Sequence, residues 1–191
     1  MSAEQVNTFT AIAQQVQAVL APLTQDQTVG QLARKEGSYK YIAHTPGRYD
    51  VWNIAALQSK QLPVVDLVPP YCQKQSVGYL LVDPHTPSHG KWHQDAVPLF
   101  GTGIEHEWTN ERLPPFYYTL LIAMTDQTVD NAPTHFLGED GNTVYWVHLK
   151  RGDAVLFDGT VWHRGSANTT SEARDVLYVI YAPAWYAEEK L

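Results

Sequence analysis

The stretch RGDAVLFDGTVWHRGSANTTSEARDVLYVIYA, residues 151–182, contains two strand signals separated by a turn and a polar loop. DAVLF is a short apolar run, and the Asp158–Gly159 pair after it is typical of a tight turn. DVLYVIYA is rich in β-branched and aromatic residues, which favour extended backbone. These signals predict strands that return antiparallel to one another.

Two residues that could bind a ligand or take part in catalysis lie on this stretch. His163 lies on the extended piece after the turn, just before the polar loop, and Arg174 opens the second β run. If that run returns beside the piece that holds His163, both side chains reach the same mouth of a barrel. The order of the two residues therefore predicts a site at this end of the fold.

Upstream, the chain continues with β-type runs after a helical beginning. Pro and Gly clusters separate these runs, which are YKYIAH, VWNI, PVVDLV, SVGYLLV, FYYTLLIAM and NTVYWVHL. Val6, Phe9, Ile12, Val16 and Val19 have helical spacing, and a second short helix is predicted around Val29 to Lys35. Helices followed by strands predict a mainly β fold, an antiparallel barrel or jelly roll with helices packed on one face.

Composition restricts the class of protein. A chain of 191 residues with 44% hydrophobic and 17% charged content fits one compact domain. The net charge of −7 disfavours nucleic acids and anionic membranes as partners. Cys72 is the single cysteine, and the first twenty residues lack the pattern of a signal peptide or membrane span. We expect a soluble, cytoplasmic protein.

The segment KWHQDAV, residues 91–97, places a histidine and a carboxylate two residues apart in what reads as a strand. His93 and Asp95 then project to the same side, and they supply two thirds of the facial triad that binds non-haem Fe(II). A bare His-x-Asp pair arises easily by chance, so His93 as a hydrogen-bonded core histidine is the alternative. His85 and His89 have zinc-like helical spacing with His93, but the prolines among them prevent a helix.

Taken together, these residues resemble the pattern of the phytanoyl-CoA dioxygenase-like group of Fe(II)- and 2-oxoglutarate-dependent oxygenases. The resemblance covers about residues 76–186 and rests on His93, Asp95, Gly152, Asp153, His163, Asn168, Arg174, Tyr181 and Pro183.

The resemblance implies a double-stranded β-helix, a cupin-like jelly roll, with O₂ and 2-oxoglutarate as co-substrates. It implies that His93, Asp95 and His163 are the iron ligands and the catalytic set, and that Arg174 binds the distal carboxylate of 2-oxoglutarate. A guanidinium suits that role because its planar fork meets a carboxylate with two hydrogen bonds. Three protein ligands leave coordination positions for a bidentate 2-oxo acid and O₂.

The chain departs from the family pattern at several places. The family commonly has Ser two residues after the distal histidine, where this chain has Gly165, so Ser166 is the predicted second co-substrate contact. Tyr79 is predicted as a neighbour of the co-substrate. The family's usual PGSH is replaced by LGED at residues 137–140, and only about a dozen residues separate it from Gly152. In longer relatives that interval covers the site, so residues 100–115 are the predicted lid here.

Residues 1–191 are therefore expected to form one Fe(II)/2-oxoglutarate oxygenase domain, with a helical lead-in over 1–36 and a β-helix core over 39–186. The expected reaction is hydroxylation of an unactivated C–H bond of a small molecule, such as an amino acid or natural-product intermediate, with release of succinate and CO₂. One alternative keeps the chemistry on a peptide, protein or carrier-tethered substrate. The other is a non-oxidative metal-binding cupin, an isomerase or binding protein, which has no need of Arg174.

Overall fold

The computed structural model describes residues 7, 11, 14, 32–35, 39–45, 47–52, 65–96 and 115–186. These residues form two antiparallel sheets, which confirms the mainly β prediction. The described strands are β1 Leu32–Lys35, β2 Tyr39–Thr45, β3 Arg48–Trp52, β4 Cys72–Val82, β5 Tyr118–Ala123, β6 Thr134–Leu137, β7 Val144–Trp146, β8 Ala154–Asp158, β9 His163–Gly165 and β10 Arg174–Pro183. No helix among the described residues is long and apolar enough to cross a membrane.

The larger sheet has seven strands in the order β1-β2-β3-β4-β10-β5-β8. β10 lies at its centre, paired with β4 on one side and β5 on the other, and every residue of β10 is buried. Such complete burial explains why its sequence is a continuous run of β-branched and aromatic residues rather than an alternating one.

The smaller sheet has the order β7-β6-β9 and faces the larger one. Phe136 of β6 meets Phe157 of β8 edge to face, with ring centroids 5.1 Å apart. Phe157 in turn meets the ring of His163 on β9 at 4.8 Å. The space between the two sheets therefore contains both an apolar core and the predicted site.

Register determines which side chains of the larger sheet face this space. Arg48 of β3 pairs with Val82 of β4, which pairs with Arg174 of β10. Directly paired residues share a face of the sheet and alternate residues along a strand change face. Arg48 and Arg174 are therefore on one face, which also carries Phe157 of β8.

Four local predictions are corrected. The predicted helix around Val29 to Lys35 is wrong for its described half, because Leu32–Lys35 form β1 against β2, and the helical lead-in cannot extend to residue 36. Of the predicted strand PVVDLV, residues 63–68, the structure describes 65–68, and there Val65–Leu67 form a 3₁₀ helix. Pro69 and Pro70 follow closely and cannot donate to a sheet. Of the predicted first helix, Asn7, Ala11 and Gln14 have helical backbone, and its other residues lie outside the described ones.

The other two corrections concern the site. Residues 91–96 are not a regular strand, and their one β-bridge joins His93 to His163. β10 does not return beside β9, because β9 pairs with β6 in the smaller sheet. His163 on β9 and Arg174 on β10 therefore face the same space from opposite sheets.

Candidate active site

The segment that carries His93 is attached to residues 159–165 by backbone hydrogen bonds. His93 and His163 exchange a pair of N–H to carbonyl bonds of 3.0 and 2.9 Å. The carbonyl of Gly159 accepts from the N–H groups of Asp95 and Ala96 at 2.8 and 3.0 Å. The Asp158–Gly159 turn therefore positions the His-x-Asp segment although that segment joins neither sheet as a strand.

His93, Asp95 and His163 converge as predicted. Their ligand atoms all lie within 4.8 Å of one another. Asp95 Oδ1 is 3.8 Å from His93 Nε2 and 3.5 Å from His163 Nε2. Two imidazole nitrogens and one carboxylate oxygen at this spacing form a set that one divalent ion can contact at once.

Each histidine already has a hydrogen bond on the nitrogen that faces away from this centre. Nδ1 of His93 donates to the carbonyl of Lys91 at 3.0 Å, and Nδ1 of His163 donates to the carbonyl of Val161 at 2.9 Å. A proton held on Nδ1 leaves the lone pair of Nε2 available to a metal. Both rings are therefore in the tautomer that ligation requires.

The Asp95 carboxylate is oriented by Thr119 of β5. Thr119 Oγ1 donates to Asp95 Oδ2 at 2.6 Å, which leaves Oδ1 to face the two histidines. Thr119 is buried and lies on the face of the larger sheet that carries Arg174. The larger sheet therefore contributes directly to the candidate metal centre.

His163 differs from His93 in its environment. Its side chain is 8% exposed whereas that of His93 is 52% exposed. Burial lowers the pKa of His163, while the charge of Asp95 acts in the opposite direction. A neutral His163 is the form that can bind a metal.

Arg174 is almost completely buried at the inner end of β10, with 2% of its surface exposed. Its Nε donates to the carbonyl of Ala132 at 2.8 Å, which fixes the plane of the guanidinium. Burial, and then the positive charge of Arg48, lower its pKa to about 10, so it stays charged at neutral pH. Among the described residues, no carboxylate lies within ion-pair distance of it.

Ser166 is also buried, and its Oγ has no hydrogen-bond partner in the described structure. Its backbone carbonyl accepts from Nη2 of Arg48, which also donates to the carbonyl of Ser88 at 2.5 Å. Ser166 therefore lies beside Arg48, and its hydroxyl is available to hydrogen-bond with a bound ligand.

Tyr79 is not at this site. It pairs with Leu177, whereas Arg174 pairs with Val82 three residues further along β4. An odd separation places the Tyr79 ring on the opposite face of the larger sheet. Its predicted role as a neighbour of the co-substrate is therefore corrected.

The predicted lid, residues 100–115, falls outside the described residues except at its last position.

Two residues of the site, Arg48 and Thr119, were not found from the sequence. Arg48 follows Gly47 at the start of β3, and Thr119 lies within the buried strand β5. Neither has a local pattern that marks it as functional. Only the pairing of β3, β4, β10 and β5 brings them to the same face.

Comparison with protein families agrees with part of the site. The model of the phytanoyl-CoA dioxygenase family matches residues 138–176, which confirms the resemblance over that segment. The matched segment contains His163 and Arg174 but not His93 or Asp95. No curated protein sequence matches the chain.

Solved structures are similar in fold. AviO1 from Streptomyces viridochromogenes Tue57 has 17% identity and a TM-score of 0.64 over 98% of this chain and 88% of its own. HygX from Streptomyces hygroscopicus, with nickel, 2-oxoglutarate and hygromycin B bound, has 13% identity and a TM-score of 0.63 over 100% of this chain and 82% of its own. The non-heme monooxygenase ThoJ, in its nickel complex, has 22% identity and a TM-score of 0.48 over 63% of this chain, which spans 48% of that protein.

Proposed function

We propose that this protein is a non-haem Fe(II)- and 2-oxoglutarate-dependent oxygenase with a double-stranded β-helix fold. The observation that carries the proposal is the convergence of His93, Asp95 and His163, with ligand atoms within 4.8 Å of one another. The buried and charged Arg174 lies on the sheet face that also carries Thr119, the partner of Asp95. A metal-binding cupin without a 2-oxo acid has no use for that arginine.

The donor set fits Fe(II). Two neutral imidazoles and one carboxylate on one side of an ion form the facial triad of non-haem iron oxygenases, which leaves the remaining positions open. Both histidines present Nε2 to the centre, and Thr119 leaves Asp95 Oδ1 free to face them. Bound there, iron would supply activation of O₂ coupled to decarboxylation of the 2-oxo acid.

The surroundings also fit a dicarboxylic 2-oxo acid. Its 2-oxo and adjacent carboxylate groups would face the metal ligands, and its distal carboxylate would meet the guanidinium of Arg174. Burial makes such an ion pair strong, because little water competes for either partner. The unused hydroxyl of Ser166 is available as a further donor.

The chain's own residues have separate roles in this reaction. Arg174 orients the co-substrate, while His93, Asp95 and His163 hold the metal and select its open positions. Phe157 and Phe136 line the inner side of His163 with apolar surface, which keeps water from that side of the ligand. A retained carboxylate at position 95 favours hydroxylation over halogenation, because halogenating relatives lack that ligand.

The proposed substrate is a small molecule, and the product is its hydroxylated form with succinate and CO₂. The fold likeness to HygX, which binds hygromycin B, supports this class of substrate. A peptide, protein or carrier-tethered substrate is the alternative, supported by the short segment between β6 and β8, which is a small three-residue strand and two turns.

Anaerobic addition of Fe(II) and then 2-oxoglutarate tests the proposal. We expect the weak visible charge-transfer band of a chelated 2-oxo acid, and its loss in His163→Ala and Asp95→Ala. Arg174→Met should keep Fe(II) binding but weaken 2-oxoglutarate binding about 100-fold, as expected for a lost bidentate ion pair. Tight binding of another metal without the band would instead support the cupin alternative.

A further inference from the structure

A second arginine lies beside Arg174 on the inner face of the larger sheet. Arg48 belongs to β3 and is separated from Arg174 only by Val82 in the same row of paired residues. Its surface is 7% exposed, so Arg48 is also a buried residue. Two buried positive charges therefore face the same part of the space between the sheets.

Neither guanidinium has a carboxylate at ion-pair distance among the described residues, although the charge of Asp175 partly offsets the effect of burial on the pKa of Arg174. Arg48 donates only to the backbone carbonyls of Ser88 and Ser166, and its Nε has no partner. Burial and the charge of Arg164 lower the pKa of Arg48 to about 10. Like charges held together in a buried site are costly unless an anion joins them.

The backbone next to His163 leaves room for this second guanidinium. A Cβ atom at Gly165 would lie 2.8 Å from Nη1 of Arg48 and 3.9 Å from Nη2 of Arg174. Any side chain at position 165 would therefore displace Arg48. Arg48 can therefore hold its present position only because residue 165 is a glycine.

We propose that Arg48 binds the distal carboxylate of 2-oxoglutarate together with Arg174, in the space that a side chain at position 165 would occupy. This inference rests on the proposed function. It assigns to this chain a two-arginine clamp in which Arg48 of β3 supplies a donor that Gly165, two residues after His163, cannot supply.

The hydrogen bonds of Arg48 also prepare the site before the ligand arrives. Its Nη2 joins the loop after β4, at Ser88, to the loop after β9, at Ser166. These contacts use carbonyl acceptors, which leave the positive charge available to a carboxylate. The guanidinium is thus held in position at little further cost when the co-substrate binds.

A comparison of two ligands isolates the proposed contact. 2-Oxoglutarate and 2-oxovalerate have the same chain length, but the second ends in a methyl group instead of the distal carboxylate. Both are titrated anaerobically into the Fe(II)-loaded protein, and the charge-transfer band gives each dissociation constant. We expect Arg48→Met to weaken 2-oxoglutarate binding about 10- to 100-fold and to leave 2-oxovalerate binding unchanged.

Arg164→Met is the matched control. Arg164 carries the same charge close to Arg48, but its guanidinium lies over the Trp92 ring, 4.4 Å from the centroid. We expect it to change the preference for 2-oxoglutarate by about twofold at most, because it acts only through space. Arg48→Lys, which keeps the charge and loses the fork, should give a smaller loss than Arg48→Met and serves if the latter does not fold.

The outcomes separate this inference from the function on which it rests. If the unaltered protein does not bind 2-oxoglutarate, the proposed function itself fails. If it binds 2-oxoglutarate and Arg48→Met weakens both ligands equally, or neither, Arg48 only joins the two loops and the clamp is disproved. A selective loss that Gly165→Ser partly restores in the Arg48→Met background would locate the contact beside Arg174.

Discussion

Thr119 controls the direction of the Asp95 carboxylate. Asp95 is attached to the rest of the protein at two points, the N–H bond to the carbonyl of Gly159 and the bond that Oδ2 accepts from Thr119. Without the second bond the carboxylate can rotate and present either oxygen to the centre. Metal affinity depends on such orienting partners almost as much as on the ligands.

We predict that Thr119→Val weakens Fe(II) binding about 10- to 100-fold, because the loss of an orienting partner costs this much at other metal sites. The substitution keeps the shape of the side chain and removes only the hydroxyl donor. Competition with a chelator of known affinity measures the change.

Thr143→Val provides a matched control for this prediction. Thr143 Oγ1 also donates to a carboxylate, that of Asp140 at 2.5 Å, but on the exposed turn between β6 and β7. Its replacement should leave Fe(II) affinity unchanged. An equal effect of both substitutions would mean that the loss comes from general destabilisation and not from the orientation of Asp95.

At the scale of residues, the sequence predicts what depends on residue type and order. His93, Asp95, His163 and Arg174 are the residue types that metal and carboxylate binding need, and they occur in the order that the family pattern has. The prediction for Tyr79 was wrong because the face of the sheet that its ring occupies depends on the register of β4 and β10. Tyr79 is three residues from Val82, the partner of Arg174, so the side chains of Tyr79 and Arg174 lie on opposite faces.

At the scale of elements, the contact between Gly78 and Tyr178 determines how β10 packs across β4. The two residues are directly paired, and the Tyr178 ring lies over Gly78 and reaches Asp50 of β3 with a hydrogen bond of 3.0 Å. A Cβ at Gly78 would lie 2.1 Å from Cζ of Tyr178. The glycine therefore makes space for a ring that spans three strands.

We predict that Gly78→Ala lowers the free energy of unfolding by about 1–3 kcal/mol, the usual cost of overpacking a core. The new methyl group must push the Tyr178 ring out of its contact with Asp50, because β4 and β10 are fully paired here. Chemical denaturation monitored by fluorescence measures the change.

A double substitution checks the cause. In the background of Tyr178→Ala, where no ring covers position 78, Gly78→Ala should cost much less, so that the two substitutions are not additive. Additive losses would show that the overlap with the ring is not the reason for the destabilisation.

Long β-rich runs were predicted well at this scale because propensity and burial agree, as in β4, β5 and β10. Short strands have a weaker signal. The extended piece predicted at His163 is confirmed as β9, whereas the extended form of the four-residue β6 depends on pairing with β7 and β9. PVVDLV has the composition of a strand, yet its described residues Val65–Leu67 form a 3₁₀ helix shortly before two prolines. Composition alone does not distinguish these cases.

At the scale of the molecule, the candidate centre joins the two sheets. His163 belongs to the smaller sheet, and Thr119, which holds Asp95, belongs to the larger one. The sequence predicted a hairpin between His163 and Arg174, but the residues meet because the sheets face each other. The packing of one sheet against another leaves no local signal in the sequence, so the route by which His163 and Arg174 meet was not predictable. That they share a site was predicted.

One buried and one partly buried histidine also make the stability of the metal-free protein depend on pH. Burial is the largest cause that lowers the pKa of His135 and of His163 below the ordinary value of 6.5. Below pH 6.5 the unfolded chain therefore binds more protons than the folded protein at these positions. The free energy of unfolding then rises with pH, and the effect is complete above pH 6.5.

We predict that the metal-free protein loses stability as the pH falls from 7 to 5. The lowered pKa values of Asp126 and Asp140 act near their ordinary value of 3.8, below this range. Urea denaturation at several pH values gives the slope, which His135→Gln should reduce. A stability that is constant between pH 5 and 7 would mean that these histidines become accessible to protons without unfolding.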